Sequence, residues 1–180
     1  EPEYSFIFLK HDWISFKKSI KHLRFLRLKT NNAYIPLGLL SRSLRLETFS
    51  IDTIVRRNIP ITNLLNTRLK ILIISSCTIP TSQQQLYLES ISKFYSLQKL
   101  EFPLTPKRNL HLLGKLKRLQ TLIANTNIYD MLSPSLFSRL RRLKQLEIKS
   151  LDWDNRLMKL QQFILSLPRK IEVSLGINAT

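Results

Sequence analysis

LRFLRLKTN, residues 23–31, decides the fold. Leu26 and Leu28 alternate with Arg27, the two-residue period of a short strand with one buried face. The same frame returns in LKILIISSC (69–77), LQTLIANTN (119–127) and LKQLEIKSL (143–151). Looser copies are LETFSIDTI (46–54), LQKLEFPLT (97–105), PRKIEVSLG (168–176) and EPEYSFIFL (1–9). Successive copies start 22 to 28 residues apart. A strand this short cannot bury its face alone, so each copy must be one coil stacked on the next around a shared core. Asn31 and Asn127, with Cys77 at the equivalent place, stand where the chain turns inward and a side chain can bond the backbone of the neighbouring coil.

The return paths read as partly helical. Asp154 followed by Leu157, Leu160, Ile164 and Leu167 has the form of a capped amphipathic helix, as does Asp12 followed by Trp13, Phe16, Ile20 and Leu23. Pro36, Pro60, Pro106 and Pro134 each suit a first helical turn, where the missing N–H costs nothing. The spacing and signature resemble the leucine-rich repeat family. The irregular repeat length, the cysteine in place of asparagine and the segments IPLGLL (35–40), IPITNLL (59–65) and SPSLFSRL (133–140) are similar to its intracellular branch. Repeats of plant nucleotide-binding immune receptors and of F-box proteins are of this style, GKLKRLQTL (114–122) especially so for the former. That resemblance implies a right-handed α/β solenoid, with short parallel strands on the concave side and helices or irregular segments on the convex side. It implies a recognition module whose ligand is usually a protein, and it transfers no ligand-contacting residue.

The expectation is one domain over residues 1–180, of about seven to eight repeats. The chain opens inside a repeat and stops just after a strand pattern, whereas solenoid ends need polar caps, so a fragment or a part of a larger assembly is expected. The three glycines form no phosphate-cradling motif, no apolar stretch reaches membrane-span length, and nothing reads as a signal peptide. A single cysteine, Cys77, excludes an internal disulfide and points to a reducing compartment, cytoplasmic or nuclear. The sequon Asn178-Ala179-Thr180 is a lone match that does not reverse this.

Charge is the unexpected feature: 29 lysines and arginines against 12 acids, a net of +17. On the outward strand positions Arg27, Lys29, Lys99, Lys149 and Lys170 balance Glu3, Asp52, Glu101, Glu147 and Glu172, so the concave face is neutral and the surplus lies elsewhere. Much of it flanks the first leucine of each repeat, in Arg45, Arg68, Arg118, Arg142 and Lys144, which stacking would align about 5 Å apart along one rim. Lys17, Lys18, Lys21, Lys107, Arg108, Lys115, Lys117, Arg139 and Arg141 are expected to thicken that rim from the helical side. Such a rim is either a solvated edge whose stems cover the core, or a surface for nucleic-acid phosphates or an acidic protein. No aromatic interleaving of the kind single-strand binders use is evident, since most phenylalanines fall at core phases.

Ile71, Ile73 and Ile123 at outward positions, with Phe25 and Arg27 at one end and Lys99 and Glu101 between, read as an apolar centre in a polar surround. Strand preference for β-branched residues accounts for them equally well. His11, His22 and His111 share no spacing with Cys77 or an acid that suggests a metal site or a triad. Cys77 suits a packed position, and Asp152 and Asp154 suit a turn and a cap. The expected function is non-catalytic recognition, without cofactor, metal, membrane or small-molecule substrate. A protein partner on the concave face, with the basic rim against an acidic surface, is the leading reading, and a basic scaffold subunit of a ribonucleoprotein or chromatin complex is the alternative.

Overall fold

The computed structural model describes residues 5–6, 20–29, 43–52, 68–75, 81–102, 110–124, 133–150, 157–167 and 171–177. Among these residues eight strands form one parallel sheet in chain order: β1 (Ser5–Phe6), β2 (Phe25–Lys29), β3 (Thr48–Asp52), β4 (Ile71–Ser75), β5 (Lys99–Phe102), β6 (Thr121–Ala124), β7 (Gln145–Ser150) and β8 (Glu172–Ile177). Every neighbouring pair is consecutive in sequence, as stacked coils require. Each strand from β2 to β7 begins two residues after the first leucine of its repeat. Only the last repeat departs from the expected frame. Glu172 pairs with Gln145, so that coil starts at residue 170 rather than Pro168. A shift of two leaves inward and outward faces unchanged, because the strand period is two.

The inward residues are the core. Leu26, Phe49, Leu72, Leu100, Leu122 and Leu146 are buried, and so are Leu28, Ile51, Ile74, Phe102, Ala124 and Ile148 two places on. Large and small side chains alternate where coils meet: Phe102 lies in register with Ala124, and its ring tilts against Tyr87 at 6.2 Å. The coils are locked by a repeated backbone device. The carbonyl of the residue after each first leucine accepts two N–H groups of the next coil, as when Glu47 O binds Lys70 N at 2.7 Å and Ile71 N at 3.0 Å. The same pair recurs from Arg24 O, Lys70 O, Gln98 O and Gln120 O. Buried carbonyls between coils therefore have partners.

Repeat length decides the return path. The longest interval, Leu69 to Leu97, accommodates the longest described helix, α1 (Thr81–Ile91), whose Tyr87, Leu88 and Ile91 face the core. The shorter interval that follows has room for a 3-10 segment, Leu110–Lys115. Pro134 opens α2 (Pro134–Arg139), as its position suggested. Gly114 packs beneath α2, where an added Cβ would lie 3.0 Å from Arg139 Cδ and 3.2 Å from its Cβ. The expected helix near the end is α3 (Leu157–Leu165), but its buried face differs. Ile164 is exposed, and Phe163 instead turns inward to meet Phe137 at 5.7 Å. The larger ring fills the space against α2 and rotates the aliphatic residue outward. Pro36, Pro60, Pro106, Asp154, Asn31, Asn127 and Cys77 lie outside the described residues, as does the Asp12 helix apart from a 3-10 turn at Ile20–His22.

Candidate binding surfaces

Two surfaces carry the chemistry, and both follow from repeat phase. The first is the outward face of the sheet. Its central row runs Arg27, Ser50, Ile73, Glu101, Ile123, Glu147 and Ser174, one residue from each of β2 to β8. Phe25 and Arg27 are exposed at one end, while Ile71, Ile73 and Lys99 are half-buried.

Two of the expected members sit deeper than the pattern implied. Glu101 is 7% exposed and Ile123 only 4%. Lys149 on β7 reaches across β6 to place Nζ 3.0 Å from Glu101 Oε1 on β5, so a salt bridge spans the strand that carries Ile123. Ser75 Oγ donates to the same carboxylate oxygen at 3.1 Å, and Glu147 Oε1 stands 3.8 Å from Lys149 Nζ. Ile123 is thus walled by Glu101 and Glu147 on either side and is not a presented apolar residue. Gly176 makes room for this bridge: a Cβ there would come within 3.1 Å of both Lys149 Cγ and Glu147 Oε1. Sequence reading found each charge but not the bridge, because Glu101 and Lys149 are 48 residues apart. What remains open is a groove of 340 Å³ over β2 to β5, with Phe25, Arg27, Ser50, Asp52 and Ile73 on its walls and the Glu101–Lys149 bridge closing one end.

The second surface is the edge where the chain enters each strand. The N–H of the first leucine binds the carbonyl three residues earlier in four coils: Leu46 to Ser43, Leu97 to Phe94, Leu119 to Leu116 and Leu143 to Leu140. Each is a tight turn whose two central residues are exposed, except for half-buried Ser96. Those residues are Leu44-Arg45, Tyr95-Ser96, Lys117-Arg118 and Arg141-Arg142. Lys117 and Arg141 therefore share their turns with Arg118 and Arg142, and Lys117 Nζ also donates to Arg139 O at the end of α2, at 3.5 Å. Arg24, Arg45, Arg68, Lys70, Lys117, Arg118, Arg141, Arg142 and Lys144 make nine exposed cations along one edge among the described residues.

Glu47 is the one described carboxylate among those turn and flanking positions. It receives Lys70 Nζ at 2.9 Å and Arg24 Nη2 at 3.2 Å. The Lys70 hydrogen bond, with Arg24 and Lys70 charge behind it, holds the Glu47 carboxyl below its ordinary value against a smaller desolvation effect. Arg45, Arg68, Arg118, Arg142 and Lys144 make no ion pair with a carboxylate among the described residues. A cleft of 710 Å³ opens between Arg24, Leu44, Arg45, Glu47 and Arg68.

The stacked coils, their single parallel sheet and the leucine-rich frame settle one point. The fold is a leucine-rich-repeat solenoid. Among the solved structures that match it is an internalin, inlF of Listeria monocytogenes str. 4b F2365. That match has a TM-score of 0.56 at 15% identity and covers 91% of this chain and 45% of the internalin. The solenoid here thus spans a little under half the length of that protein. No protein-family model and no curated protein matches the chain in sequence.

His22 and His111 are exposed, and among the described residues no three of His, Cys, Asp and Glu gather as a metal site. No described helix is long and apolar enough to cross a membrane.

Proposed function

We propose that the solenoid is a non-catalytic recognition module that takes a protein partner on the outward face of its sheet. Solenoids of this kind present an extended, regular sheet surface to their ligands. The observation that carries the reading is the groove over β2 to β5, where exposed Phe25 and half-buried Ile73 lie beside Arg27 and Asp52, with Ile71 and Lys99 in the adjoining row of the same face. An apolar strip flanked by both signs of charge suits the apolar core and polar rim of a protein interface. The bridge from Lys149 to Glu101 makes one end of the groove a fixed wall, so side chains there are ordered before a partner arrives. The partner on this reading is a protein with an apolar anchor and acidic neighbours that meet the basic edge, and the lone cysteine suits a cytoplasmic or nuclear setting.

Affinity capture with the wild-type chain, Ile73→Glu and Met158→Glu tests this. Ile73 lies in the groove, and Met158 is 80% exposed on α3, on the opposite side of the sheet. Proteins retained by wild type and Met158→Glu but lost with Ile73→Glu are the expected result. Equal retention by all three chains would reject the groove as the site.

A further inference from the structure

The turn edge has a feature that a merely solvated rim does not require. At the middle of the row, in the position that Lys117 and Arg141 occupy in their own turns, stands Tyr95, 71% exposed. The backbone around it is anchored by its neighbours. Phe94 beside it is buried, Leu97 N binds Phe94 O at 3.0 Å, and Ser96 Oγ donates to Leu69 O of the previous coil at 2.9 Å. An exposed aromatic ring on an anchored turn within a line of cations has the form of a stacking platform on an electrostatic track.

We propose that this edge is a track for single-stranded nucleic acid, with phosphates held on Arg45, Arg68, Lys117, Arg118 and Arg142 and a base stacked on Tyr95. Equivalent turns repeat at about the strand spacing, so the row from Arg45 to Arg142 runs on the order of 20 Å. That length takes on the order of four to six nucleotides, within the range of single-strand sites. The row's regular pitch suits a ligand with a regular charge, which a polynucleotide has and a folded acidic protein lacks. The flat ring favours bases over carboxylates, since every base offers a π-face and a carboxylate offers none. A duplex keeps its bases stacked on one another and gains nothing from Tyr95. Glu47 limits the track at one end by engaging Arg24 and Lys70. This edge is separate from the groove over β2 to β5, so the inference leaves recognition in the groove untouched and replaces only the acidic neighbours that the protein-binding reading sets against the edge.

Fluorescence anisotropy of a labelled mixed-sequence 12-nucleotide RNA tests it, with a duplex of the same length and polyglutamate as competitors, from 50 to 300 mM NaCl. The expected result is a preference for the single strand over both competitors and a linear log–log salt dependence. Arg118→Glu/Arg142→Glu should flatten that slope by roughly 0.7 for each phosphate the variant no longer neutralises. Tyr95→Ala should weaken binding by roughly 5- to 150-fold and Tyr95→Trp should retain it, which a purely electrostatic edge would not show. Glu47→Gln should tighten binding. All these positions are at the surface, and unchanged thermal midpoints identify variants that remain folded. Equal competition by polyglutamate, or indifference to Tyr95→Ala, would overturn the inference in favour of a general acid-binding edge. So would absence of binding at 50 mM salt, which would leave a solvated rim.

Discussion

Replacing Lys149 by Met should destabilise the chain well beyond the loss of a surface ion pair, because it strands Glu101. The ion pair is 3.0 Å long, with the Glu101 side chain 9% exposed and the Lys149 side chain 25% exposed. At an effective dielectric of about 20, two charges at that distance attract by roughly 5 kcal/mol, most of which offsets their desolvation. Removing the lysine leaves Ser75 Oγ as the remaining described partner of a nearly buried carboxylate. Lysine's residual exposure reduces the penalty for breaking a buried pair to about 2–3 kcal/mol. Glu101→Gln, which retains volume and an acceptor for Ser75, should cost about 1–2 kcal/mol. Glu101→Leu/Lys149→Met removes both charges and should restore most of the loss, since an apolar replacement of a buried pair is close to neutral. Urea unfolding at pH 7 in low and 1 M salt completes a double-mutant cycle with Glu101→Leu, with an expected coupling above about 1.5 kcal/mol that salt barely reduces. A coupling below about 0.5 kcal/mol, or one abolished by salt, would refute the bridge as a fixed wall of the groove.

Three further outcomes are expected. Leu72→Ala should destabilise by about 2–5 kcal/mol and Ile73→Ala by less than about 1.5 kcal/mol, although they are neighbours, because only Leu72 is fully buried; urea midpoints compare them. Gly114→Val should cost about 1–3 kcal/mol by pushing Arg139 and Leu136 away, read as a lower thermal midpoint, whereas a neutral result would mean that α2 yields freely. The Glu47 carboxyl is depressed below its ordinary value of 4.5, so its small contribution to stability is full above that value and is lost as the pH falls through its folded pKa. Stability profiles of wild type and Glu47→Gln should therefore converge in acid and separate above pH 4.5.

The sheet was legible because its evidence is local and repeated. One frame of leucines places β2 to β7, and the two-residue period assigns inward Leu72 and outward Ile73 without knowledge of neighbours. The basic edge was legible as a line of Arg45, Arg68, Arg118 and Arg142, since stacking alone aligns equivalent residues. Other features were not. The depth of Glu101 and Ile123 goes with Lys149 reaching across β6, which no repeat pattern encodes. The shared turn of Lys117 with Arg118 depends on a backbone bond, Leu119 N to Leu116 O, that aligning the first leucines passes over. Tyr95 was hidden for the same reason, although its offset from Leu97 equals that of Lys117 from Leu119. The inward turn of Phe163 over Ile164 reflects the space beside Phe137 rather than helical periodicity, and only packing reveals it.

Site-directed photocrosslinking tests recognition through the sheet face most directly. A benzophenone amino acid would replace Phe25, Ile73, Leu86 or Met158 in turn, and the chains would be irradiated with the proteins they capture. Phe25 and Ile73 lie on the groove, whereas Leu86 on α1 and Met158 on α3 are exposed on the helical side. The account predicts adducts with the same protein from positions 25 and 73 and none from 86 or 158. Adducts confined to 86 or 158 would contradict it and move recognition to the helical face.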